Sequence, residues 1–137
     1  MFGVKKSITF RSGHRLLSPY EGRCSNIHGE FFTAAFYFES EILDDKGMVV
    51  DFSLLKKKLK TWIDENLDHA YICRNDDPVI STLEQLDLRI YKMVVNPTSE
   101  NIAHLLFNVA KSLNFPITRV EVVESDPDSV AWFQGPA

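Results

Sequence analysis

The sequence has only two cysteines, Cys24 and Cys73, far apart and without a CxxC or other metal-knuckle spacing. That excludes a disulfide scaffold, so each thiol has to be judged alone. A basic excess is also missing: the formal net charge is -4 and the pI is near 5.5. The chain therefore lacks the positive face with which general nucleic-acid or membrane-surface binders meet phosphates. No stretch approaches the roughly 20 consecutive apolar residues of a membrane span. Lys5 and Lys6 stand where a signal peptide needs its apolar run, so the expectation is a cytoplasmic protein. Repeats, biased tracts and linkers are absent too. At 137 residues, 45% of them hydrophobic, the chain is expected to form one domain over 1–137 with a substantial core.

What charge there is lies unevenly. Before Cys24 stand Lys5, Lys6, Arg11, Arg15 and Arg23 against a single carboxylate, Glu21. This is either a solvated strand face or a site for a small polyanion.

Hydrophobic period divides the chain. In "VKKSITFRSGH", Val4, Ile8 and Phe10 alternate with polar residues, the pattern of a half-buried strand. His14 shares their parity, so it projects from the core-facing side if the strand persists. "HGEFFTAAFYFESEIL" predicts a second, central strand ending in the turn "DDKG", with a short strand at "MVVDF" beyond it. From Ser53 the period becomes helical: Leu55, Leu59, Trp62 and Ile63 form one stripe, capped by Asp51 or Ser53. A proline-marked acidic loop and a weakly patterned segment lead to a strand at "LRIYKMVV". "NPTSEN" then opens a second helix, with Thr98 or Ser99 as cap and Ile102, Leu105, Leu106, Val109 and Leu113 as its buried stripe. "ITRVEVVES" and "VAWF" predict the last strands. The expected fold class is α+β: an antiparallel sheet of four to five strands with two main helices on one face. Such an open sheet has edges to hide, and oligomerisation through them is the natural remedy.

One stretch concentrates chemistry. "CSNIHGE" places Cys24, His28 and Glu30 within seven residues. His28 and Glu30 leave the same face of a strand, roughly 7 Å apart along it. His14, on the facing end of the preceding strand, can complete a His, His, Glu set, a ligand group of catalytic zinc with a position left open. Cys24 is either a small buried apolar group or, beside a cation, a base or nucleophile. Cys73 has no such neighbours and reads as structural. In "LDHAY" the Asp68 carboxylate can orient the His69 imidazole, although a helix-end histidine needs no such role. His104 lies off its helix's apolar stripe and reads as solvated. Glu124 shares the parity of Val120 and Val122, so its carboxylate faces the core side and must be paired or await a ligand.

The ordered segments "SGHRL", "C-SNI-HG", "GMVVDFSLLK", "LDH", "NPTSEN" and "VVES" together resemble the 6-pyruvoyltetrahydropterin synthase and 6-carboxytetrahydropterin synthase family along nearly the whole chain. Three residues between cysteine and histidine resemble the bacterial branch, which serves queuosine synthesis. The resemblance implies the tunnelling fold (T-fold), with sheets joined into a barrel of three subunits and two rings stacked into a homohexamer with active sites at subunit interfaces. It implies Zn2+ on His14 and His28, Cys24 as catalytic base, and Asp68 and His69 as its proton relay from a neighbouring subunit. It also implies Glu124 as anchor of the pterin, with Thr98, Ser99 and Glu100 beside it. The implied reaction converts dihydroneopterin triphosphate to 6-carboxytetrahydropterin with loss of triphosphate and acetaldehyde. Arg11, Arg15 and Arg23 are the candidates for the triphosphate, on charge alone. One departure stands out: where the family reads His-Gly-His, this chain has Glu30. A carboxylate does ligate zinc, but it weakens the ion as a Lewis acid and favours harder ions. The resemblance leaves open a pyruvoyl-type synthase, and Glu30 leaves open a non-catalytic pterin-binding relative.

Overall fold

In the computed structural model, which describes residues 1–136, the predicted alternation is realised as two long strands. β1 (Phe2–His14) pairs antiparallel with β2 (His28–Ser40), in register from Phe2↔Ser40 to His14↔His28. Even-numbered residues of both strands share one face. Ile8, Phe10, Phe32, Ala34, Phe36 and Phe38 are buried there, and Phe10 stacks on Phe32 with ring centroids 5.0 Å apart. A period of two thus turns an apolar pattern into one side of a core.

Four shorter strands complete the sheet. β3 (Tyr71–Arg74) runs parallel to β1, and β4 (Ile90–Met93) runs parallel to β3. β5 (Ile117–Glu124) pairs antiparallel with β2, and β6 (Val130–Gln134) with β5. The order is β4-β3-β1-β2-β5-β6. Among the described residues the sheet therefore has six strands and is mixed, where four or five antiparallel ones were expected. The addition is β3: Tyr71, Ile72 and Cys73 are all buried, so this four-residue run shows no alternation for sequence reasoning to detect. The expected strand at "MVVDF" does not form. The Asp44 carboxylate collects the amides of Lys46 and Met48, each at 2.9 Å, and Asp51 already caps the next helix. Too few residues remain between that turn and that cap for a strand.

The two long helices cover the even face. α1 (residues 52–66) begins where Asp51 accepts from the Ser53 amide at 2.8 Å. Its apolar residues Leu55, Leu59 and Ile63, with Leu67 just past its end, are all fully buried and recur every four positions. An ideal α-helix would rotate such a stripe by about 40° per step. A wider π-type segment over Leu55–Lys60 takes up that drift and keeps the stripe on the sheet. α2 (Ile80–Gln85) is the weakly patterned segment, a short helix that follows the Asp77 turn. α3 (Ser99–Ser112) is capped by Thr98, whose hydroxyl accepts from the Asn101 amide at 3.1 Å, and it buries Ile102, Leu106 and Val109 as expected. Leu105 and Leu113 only flank the core. Among the described residues no helix is long and apolar enough to cross a membrane.

Candidate active site

The β1–β2 register decides the site. Because His14 pairs with His28 and Ser12 with Glu30, the alternation that buries phenylalanines mid-sheet delivers two imidazoles and a carboxylate at its end. The two rings lie 4.6 Å apart between centroids, and His14 is only 2% exposed. His14 Nδ1 donates to the Pro97 carbonyl at 2.9 Å, and His28 Nδ1 donates to the Asn26 carbonyl at 2.8 Å. Each bond fixes the tautomer, so each Nε2 carries a lone pair.

Those two Nε2 atoms are buried and have no hydrogen-bond partner among the described residues. A buried acceptor left unpaired costs about 1–3 kcal/mol, and here two such acceptors point at one place. Glu30 adds a third acceptor and a negative charge at the same place: Oε1 lies 3.5 Å from His28 Nε2, while Oε2 accepts from the Ser125 hydroxyl at 2.6 Å. Ligand atoms of His14, His28 and Glu30 all lie within 4.8 Å of one another. Two imidazoles with orienting carbonyls and one held carboxylate form a donor set that fits a divalent cation. Burial pushes the His14 imidazole toward neutrality; the Pro97 carbonyl and the Glu124 charge oppose this but do not overcome it.

Glu124 pairs with Phe32 across β2 and β5 and so shares the face of the imidazoles. It stands half-buried at the end of its strand, close enough for its charge to be felt at His14. Cys24 lies half-buried in a short 3-10 turn, Arg23–Ser25, in the loop joining His14 to His28. That loop is closed on itself by the Leu16 amide, which donates to the Cys24 carbonyl at 2.7 Å. Thr98 is occupied as the α3 cap, Ser99 follows it half-buried, and Glu100 is exposed in the first turn.

Asp68 and His69 form a preassembled pair. His69 Nδ1 donates to Asp68 Oδ2 at 2.8 Å, and the Arg11 amide donates to Asp68 Oδ1 at 2.9 Å. Burial acts to raise the Asp68 carboxyl, but the Arg11 amide and the His69 ring outweigh it and hold it below its ordinary range. His69 sits in the left-handed region at φ 58, with its ring 76% exposed. It lines an open pocket of about 520 Å³ with Arg11, Ser12, Gly13, Gly29, Glu30 and Phe31. Within one chain, then, the exposed His69 ring borders a pocket that Glu30 of the candidate metal set also lines.

The three arginines are not gathered. Arg11 lies over the Phe31 ring at 4.8 Å on the reverse face. Arg15 is committed to the buried Asp77, which it meets through Nε at 3.0 Å and through a second guanidinium nitrogen. Arg23 is exposed in the cysteine turn. Sequence reasoning missed two residues that hold the site. Ser125 positions Glu30, and the Pro97 carbonyl orients His14. Both lie inside quoted segments, "VVES" and "NPTSEN", but only their contacts disclose the roles.

Comparison with known proteins gives one answer. The family model described as 6-pyruvoyl tetrahydropterin synthase matches residues 3–136. The chain is 34% identical over 134 residues to a protein of Rickettsia conorii named 6-carboxy-5,6,7,8-tetrahydropterin synthase, covering 91% of this chain and 95% of that one. A Synechocystis protein of the same name is 30% identical over 138 residues, covering 97% and 94%. Among solved structures, an uncharacterised protein of Wolinella succinogenes is similar with a TM-score of 0.79 and 26% identity, over 98% of both chains. The Caenorhabditis elegans 6-pyruvoyl tetrahydropterin synthase shares the fold, with a TM-score of 0.73 at 22% identity over 98% and 96%. A curled mixed sheet with helices on one face, histidines meeting at its end, and a family match over almost the full length place the chain in the 6-pyruvoyl tetrahydropterin synthase family.

Proposed function

We propose that this chain is a 6-carboxytetrahydropterin synthase acting on dihydroneopterin triphosphate. The observation that carries the reading is the convergence of two buried, unpartnered imidazole nitrogens with the Glu30 carboxylate. His14, His28 and Glu30 would hold a divalent ion, Zn2+ foremost. When bound, it supplies Lewis acidity toward the hydroxyls of the substrate side chain. Cys24, in the loop above the histidines, takes the proton from the adjacent C–H. Glu124 accepts the ring N–H and amino group of the pterin through its two carboxylate oxygens, with Thr98, Ser99 and Glu100 along the pterin's side.

Asp68 and His69 serve the site of a neighbouring subunit, relaying the proton from Cys24. The exposure of the His69 ring, held by Asp68 beside an open pocket, supports this. Arg23 and Arg11 are the guanidiniums free to meet the triphosphate, while Arg15 acts through the loop it anchors. Protonation on the ring, elimination of triphosphate, and addition of one water, which supplies the carboxyl oxygen as a two-carbon piece leaves as acetaldehyde, complete an internal redox reaction that needs no nicotinamide. The chain acts as one cytoplasmic T-fold domain over 1–137, in the branch that serves queuosine synthesis, and assembles as a homohexamer of two stacked trimers. The short edge strands β4 and β6, with Val94 and Trp132 exposed beside and on them, support association through the sheet edges.

Metal analysis of the purified protein, followed by product identification with dihydroneopterin triphosphate, tests the reading. Acetaldehyde and a 6-carboxy product are expected. A diketo product would assign pyruvoyl synthesis instead, and tight pterin binding with neither metal nor triphosphate release would make the chain a binding protein.

A further inference from the structure

The loop that carries Cys24 is held at its base by a side chain to which the reaction gives no role. Asn96 Oδ1 accepts from the Leu17 amide and Asn96 Nδ2 donates to the Leu17 carbonyl, both at 2.9 Å. A carboxamide that pairs with both polar groups of one residue's backbone acts like a neighbouring strand. It fixes that residue's rotation as well as its position, which no single hydrogen bond does. One residue earlier, the Leu16 amide holds the Cys24 carbonyl.

Asn96 is itself immobilised from the other side. Its carbonyl accepts from Asn101 Nδ2 at 2.8 Å and from the Thr98 amide at 2.9 Å. The next carbonyl, that of Pro97, is the group that orients His14. An unbroken path thus runs from the His14 ring through Pro97, Asn96, Leu17 and Leu16 to Cys24, every link a hydrogen bond or a peptide neighbour. Arg74 adds a bond to the Ser18 carbonyl at 2.7 Å. Asn96 is the side chain that ties the Leu17 peptide to the segment whose Pro97 carbonyl orients His14.

We infer that Asn96 is a positioning residue, setting the thiol of Cys24 against the imidazole pair. This rests on the reading of Cys24 as a base beside a bound cation. Alanine at this position frees the Leu17 peptide. Aspartate keeps the size and the acceptor but loses the donor and sets a charge against the Leu17 carbonyl.

Alkylation by iodoacetamide near neutral pH, with and without Zn2+, measures the coupling directly. Cys73 is fully buried and its thiol is pushed up to about 11 by burial, so alkylation reports Cys24. In the parent, Zn2+ is expected to slow alkylation about tenfold. In Asn96→Ala that protection should fall below about threefold, while zinc affinity by chelator competition stays within about fivefold. Turnover should fall in kcat rather than rise in KM. Protection that survives in Asn96→Ala overturns the clamp alone. A parent whose alkylation ignores zinc overturns the thiol–metal reading and the clamp with it. Should alanine prevent folding, the same measurements on Asn96→Asp decide.

Discussion

Replacing Ser125 by alanine isolates the support of the unusual third ligand. The hydroxyl donates to Glu30 Oε2 at 2.6 Å and also accepts from the Phe31 amide at 3.2 Å. A hydrogen bond to a carboxylate contributes about 1.5–3 kcal/mol. Without it the Glu30 side chain can rotate, and Oε1 leaves its place 3.5 Å from His28 Nε2. Loss of a partner that orients a metal ligand typically weakens binding about 10–100-fold, which matches that energy. The apo protein should change by less than about 1 kcal/mol, since Ser125 is exposed and water can satisfy the Phe31 amide. Zinc titration against a chromophoric chelator, together with thermal melts of the apo form, measures the two quantities separately. Ser125→Gly refines the test. Residue 125 has φ 53, a region where a Cβ costs about 1–2 kcal/mol, so glycine should stabilise the apo fold relative to alanine yet lose the same metal affinity. Zinc affinity within threefold of the parent in both variants would refute the reasoning.

Cys24→Ala should abolish turnover while leaving pterin affinity nearly intact, by kinetics and equilibrium binding; normal turnover removes the thiol from the mechanism. Glu30→His should tighten zinc and preserve or raise the rate, and a loss of both on that change would reveal a specific task for the carboxylate. Burial pushes the Asp77 carboxyl up, but Arg15, the Val79 amide and the Tyr71 hydroxyl together hold it below the usual 3.8. A depressed folded value means stability that is present above the unfolded pKa and lost as pH falls through the folded one, so urea midpoints should drop below about pH 4. Asp77→Asn should remove that share of the pH dependence and cost about 3 kcal/mol by leaving Arg15 unpaired; a flat urea midpoint in the parent across the same range contradicts it.

The strand period, the Asp51 and Thr98 caps and the apolar stripe of α1 could all be read from the sequence because each depends on neighbours within a few residues. The same local rule put His28 and Glu30 on one face and gave His14 the parity of Phe10. The sequence by itself therefore determined the family, the helix-on-sheet class and the membership of the candidate metal set. It could not determine the parallel strands β3 and β4, the bond that holds Asp68 to the Arg11 amide, or the capture of Arg15 by Asp77, 62 residues away. Nor could it show that Pro97, 83 residues from His14, fixes the imidazole tautomer. Those features are contacts between segments that only chain closure brings together, and no local period encodes which segments will meet.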